Sequence, residues 1–112
     1  MKKFIVLYHS PAGAWKEMKN ATPEEMKKGM ESWMVWAEKC GKALVDMGTP
    51  LGNGERVTKG GSKPSTKGVI GYSILQAESL AKAKALLKDH PHLDWAKECE
   101  IEIHESLPTP GS

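Results

Sequence analysis

The chain has 112 residues, a single domain's worth, with 39% hydrophobic and 27% charged residues, an ordinary globular mixture rather than a disordered one. Sixteen basic residues face 14 acidic ones for a net charge of +2, and every basic residue except Arg56 is a lysine. Nucleic-acid sites want guanidinium forks on a concentrated basic face, so no nucleic-acid partner is expected.

A domain of this size buries roughly 65% of its unfolded surface, enough for one core without staples. Cys40 and Cys99 share no CxxC spacing, and each falls on an apolar pattern. They read as buried thiols of a reducing compartment. Lys2 and Lys3 precede an apolar run, Phe4 to Tyr8, that is too short for a secretory leader, and nothing approaches a membrane span. A cytoplasmic location with no membrane partner is the expectation.

The run Phe4 to Tyr8 is β-branched, aromatic and apolar on both faces, which predicts a central strand. A loop from Ser10 to Ala21 follows. Thr22-Pro23-Glu24-Glu25 starts a helix, with Thr22 as cap, Pro23 in the first turn and Glu25 closing a capping box. Met26, Met30, Trp33, Ala37, Cys40 and Leu44 then fall within about 80° on a helical wheel. The stripe predicts a helix to about Met47, with Gly48 and Pro50 as its stop.

A short polar strand is expected around Glu55 to Lys59, then a turn over Gly60 to Ser65. Val69 to Leu75 reads as a second two-faced strand, with Gly71 marking a bulge or close packing. Ser79 caps a second helix carrying Leu80, Ala83 and Leu87, ending before Pro91. Cys99, Ile101 and Ile103 alternate with Glu100, Glu102 and His104, a strand with one dry face.

The order β-α-β-β-α-β, with strands one and three apolar on both faces, predicts a ferredoxin-like α+β domain over residues 1–106. Its four-stranded antiparallel sheet has the order 4-1-3-2, with two helices on one face. Residues 107–112, with two prolines, are expected to form a loose tail. The second sheet face, left apolar and open, predicts a homodimer through that face.

Three segments carry a family resemblance: Trp33 to Gly52 (WMVWAEKCGKALVDMGTPLG), Gly71 to Leu93 (GYSILQAESLAKAKALLKDHPHL) and Ile101 to Gly111 (IEIHESLPTPG). The chain resembles the YCII-related (DGPF-type) family of the dimeric α+β barrel superfamily. The resemblance implies a ferredoxin-like protomer, a dimer formed through the sheets, and a small-molecule cavity beside them. The DGPF signature itself is replaced by Thr58-Lys59-Gly60-Gly61-Ser62-Lys63-Pro64, and residues 24–41 hold no His or Asp. The family's His–Asp pair is therefore not carried over.

Chemistry is assigned by placing the polar residues on this topology. With strands one and three running the same way, His90, His92, Asp46 and Asn53 fall at one end of the sheet. His9 and His104 fall at the other, about 20 Å away. His90-Pro91-His92 fixes two imidazoles, and Asp46 or Asp94 can orient one of them as a general base. His90, His92 and Asp46 are thus the catalytic candidates; Trp36, Tyr72 and His9 are the cavity-lining ones. The alternative assignments are a cap on helix two for His90, a solvated loop for His92, and packing for Trp36 and for the His9–His104 pair. His90, His92 and Asp94 do not form a recognised ligand spacing, so no metal is expected. No phosphate loop or cofactor fingerprint appears. The expected function is cofactor-independent acid–base chemistry on a small organic molecule, or binding of such a molecule without turnover.

Overall fold

The computed structural model describes residues 1–10, 22–95 and 99–109. The loop expected over Ser10 to Ala21 lies outside the described residues from 11 onward, as do the side chains of Asp94 and Trp95. The elements are β1 (Lys2–His9), α1 (Pro23–Cys40), a 3-10 turn (Gly41–Ala43), β2 (Leu44–Asp46), β3 (Glu55–Thr58), β4 (Gly61–Pro64), β5 (Val69–Ala77), α2 (Leu80–Leu87), α3 (Pro91–Trp95) and β6 (Glu100–Glu105).

The four-stranded sheet is antiparallel with order β2-β5-β1-β6. The expected α+β class and two central strands hold. The second strand does not: the edge next to β5 is Leu44–Asp46, while Glu55–Thr58 pairs with Gly61–Pro64 in a separate two-stranded hairpin. The cause is the early end of α1. Gly41 takes φ 55°, a backbone that glycine accepts without steric penalty, and its N–H bonds back to Ala37 O. Leu44, expected to continue the helical stripe, instead pairs with Leu75 across the sheet. The ferredoxin-like expectation therefore departs at its second strand and gains a hairpin.

The helix starts follow from the sequence. Glu25 N donates to Thr22 Oγ1 at 3.1 Å, and Lys82 N donates to Ser79 Oγ at 3.2 Å. The capping box closes differently from expectation, because the Thr22 hydroxyl itself donates to Glu25 Oε1 at 3.3 Å.

Alternation along β1 sends Phe4, Val6 and Tyr8 to the helix-covered face, where they bury with Leu75, Trp36, Cys40, Ala83 and Leu87. Both long helices therefore share one face of the sheet. Only the C-terminal half of α1 buries; Met26 and Met30, on the same stripe, are exposed. Ile5 and Leu7 pair with Ile74 and Tyr72 on the opposite face, where all four are half-buried. A register shift between Tyr8 and His9 falls opposite Gly71, where an added Cβ would sit 3.3 Å from the Tyr8 ring, so close packing and a bulge both occur there.

Candidate functional site

Because β5 runs antiparallel to β1, α2 ends beside the C-terminus of β1 rather than at the far end of the sheet. The expected separation of about 20 Å between His9 and the His90–His92 pair, reckoned along strand residues, therefore does not exist. His92 Nε2 donates to His9 O at 2.8 Å.

His90 and His92 are built into the core. His90 N donates to Leu87 O at 3.1 Å, closing α2, while His90 Nδ1 accepts from His92 N at 3.0 Å. With Pro91 in the first helical position, the His90 side chain is the N-cap of α3, and only its backbone N–H meets a carbonyl of α2. Its ring is wholly buried among Tyr8, Trp33 and Trp36, with ring centroids 4.9, 4.4 and 4.3 Å away. Nδ1 must be unprotonated to accept, so the proton sits on Nε2, which has no hydrogen-bond partner among the described residues. Burial first, and the neighbouring His92 second, push His90 down to about 3. Burial also lowers His92, against the opposing pull of backbone hydrogen bonds to His9 and Glu100.

Below them Tyr8 Oη lies 2.7 Å from Ser73 Oγ, and Ser73 Oγ donates to Met47 O at 2.7 Å. The Ser73 proton is committed to that carbonyl, so Tyr8 donates to Ser73. Burial pushes Tyr8 up to about 12, and it raises the free Cys40 thiol as well. No group in this cluster is poised to meet a substrate.

Asp46 is not brought to the histidines. Its Oδ1 accepts from Gly48 N at 2.8 Å and its Oδ2 from Tyr72 Oη at 3.4 Å, and Tyr72 points away from the helices. Trp36 and Tyr72 stand on opposite faces of the sheet and cannot share a cavity. Trp36 is core, with Nε1 donating to Leu86 O at 2.8 Å. Two surface cavities stand out, about 260 Å³ beside Lys42, Gln76 and Lys82 and about 520 Å³ between the loops 51–54 and 65–69. Trp36, Tyr72 and His9 line neither cavity.

The open sheet face carries a different constellation. His9, Glu102 and His104 all project there, because His9 pairs with Glu100 and His104 with Ile5 across β1 and β6. Glu102 Oε2 lies 3.5 Å from His9 Nε2, and Glu102 Oε1 makes a hydrogen bond with His104 Nε2. His9 Nδ1 donates to Lys67 O at 2.9 Å, which fixes that ring. His104, chiefly by its hydrogen bond, holds the Glu102 carboxyl below the usual carboxylate range. A His104 Nε2–H bonded to Glu102 leaves Nδ1 as the basic nitrogen, the base-and-orienter arrangement of acid–base sites.

Compared with known protein families and with curated proteins, the chain matches none. The sequence reading did not nominate Glu102. Its signal was the alternation Glu100, Glu102, His104 on the charged side of β6, placed next to a strand ending in His9.

Proposed function

We propose that the chain is a homodimeric acid–base enzyme of YCII-related type that acts on a small organic molecule at the open sheet face. Glu102, with an imidazole at each carboxylate oxygen, carries this reading. His104 is the base: Nδ1 takes a proton from a carbon or oxygen acid, and Glu102 steadies the resulting imidazolium. The same imidazolium returns the proton, while His9, its Nδ1 proton committed to Lys67 O, flanks the carboxylate with Nε2 3.5 Å from Oε2. Ile5, Leu7, Tyr72 and Ile74 form the apolar floor beside the trio. A second copy covering that floor would shield both the apolar surface and the site from water.

The test is deuterium exchange at the acidic carbon of pentane-2,4-dione and small 2-oxo acids, followed by NMR. The protein should exceed free imidazole at equal concentration, and Glu102→Gln and His104→Gln should each lose about 100-fold. Exchange no faster than free imidazole, or variants as active as the parent, would sink the catalytic role.

Binding without turnover is the second reading, favoured by the cavity of about 520 Å³. Leu51, Asn53, Ser65, Thr66, Lys67 and Val69 line it, and among the described residues no imidazole or carboxylate does. Ligand-induced NMR shifts confined to residues 51–54 and 65–69, with no exchange activity, select this reading.

A further inference from the structure

The hairpin β3–β4 is unlike the rest of the chain. All of its residues, Glu55–Thr58 and Gly61–Pro64, are exposed, and Val57 is 78% exposed. An isolated two-stranded hairpin is marginal in water. This one also pairs Arg56 with Lys63, so two cations stand directly opposite on one face, an arrangement that destabilises a bare ladder. Lys59 adds a third positive charge at the turn. Strand β6 has the complementary character. It is an edge strand, and its exposed Glu100 and Glu102 share one face.

We infer that the hairpin is an arm that docks on a second copy of this chain, laying Arg56 and Lys63 against Glu100 of the partner subunit. The inference rests on the dimer proposed above. Topology allows the reach. The hairpin leaves the sheet on the β2–β5 side, at the end where His9 pairs with Glu100. A two-fold axis parallel to the strands keeps the same ends together and lays the β2 side of one sheet over the β6 side of the other. Each arm then meets the partner's acidic strand at its Glu100 end. A carboxylate between Arg56 and Lys63 replaces their repulsion with two charge-assisted hydrogen bonds. The desolvated pairs add partner choice as well as affinity.

Sedimentation of the full chain tests this. Self-association of the parent should weaken from about 50 to about 500 mM NaCl. The double variant Arg56→Glu/Lys63→Glu should associate at least about tenfold more weakly, and Glu100→Lys likewise. Mixing the two variants should recover association, because in the mixed dimer the acidic arm meets the introduced Lys and the native arm meets the native Glu100, so both arms face an opposite charge. Circular dichroism should match the parent, since the arm contributes nothing to the core. A parent that dimerises while the double variant associates equally well overturns the arm and leaves the dimer standing. A monomeric parent overturns both.

Discussion

Acid should unfold this protein early, and His90 is the main reason. The unfolded chain protonates this imidazole near 6.5, whereas the folded chain holds it down to about 3. Below about pH 6.5 the unfolded state therefore takes up a proton that the native state refuses, and stability falls until the folded value is reached. Protonation of Nδ1 would also end its acceptance of the His92 N–H, the cap of α3. The loss from this residue is about 2 kcal/mol at pH 5 and about 3 kcal/mol at pH 4. His92, also lowered by burial, adds in the same direction. Urea unfolding at pH 7.5, 5 and 4 measures the total. His90→Asn isolates the residue, because an Asn Oδ1 can replace Nδ1 as the cap but does not titrate. That variant should lose about 2–4 kcal/mol at pH 7.5 through the emptied aromatic cage, yet fall less steeply towards pH 4. An identical pH slope in parent and variant would refute the assignment.

Other substitutions probe other parts of the fold. Tyr8→Phe leaves Ser73 without its buried donor and should cost about 1–2 kcal/mol, read as a Tm lower by roughly 4–12 °C. Gly48→Ala should prevent stable folding: φ is 77° and the new Cβ would lie 1.8 Å from Tyr72 O. Gly52→Ala, with nothing within 4 Å, is the control and should express and melt like the parent. In an NMR titration the Glu102 carboxyl should titrate below the ordinary range and move back up in His104→Gln, the variant that removes the imidazole hydrogen-bonded to it.

The parts legible in the sequence were those set by short-range chemistry. Thr22 and Ser79 bear the expected N-cap bonds because capping needs only a side-chain oxygen and a nearby N–H. The alternation in β6 was readable because side chains of a strand point to its two faces in turn, and the two-faced apolar character of β1 and β5 marked them as central. The end of α1 was not readable. A leucine four residues past Cys40 fits a helical stripe and an edge strand equally well, and the free edge of β5 at Leu75 decides between them. His-Pro-His gave two imidazoles near each other but could not say that Tyr8, Trp33 and Trp36 would enclose one of them.

By itself, then, the sequence determined an α+β domain, its central strands and its helix starts, since these follow from local propensity and periodicity. Tertiary structure alone decided which histidines are buried under the helices and which lie on the open sheet face. Strand direction put His90 and His92 beside His9, and the helices buried them there. The same pairing brought Glu102 between His9 and His104 on the face the helices leave open. Contacts between residues more than 90 positions apart depend on the register of β1 against β6, which no local pattern encodes.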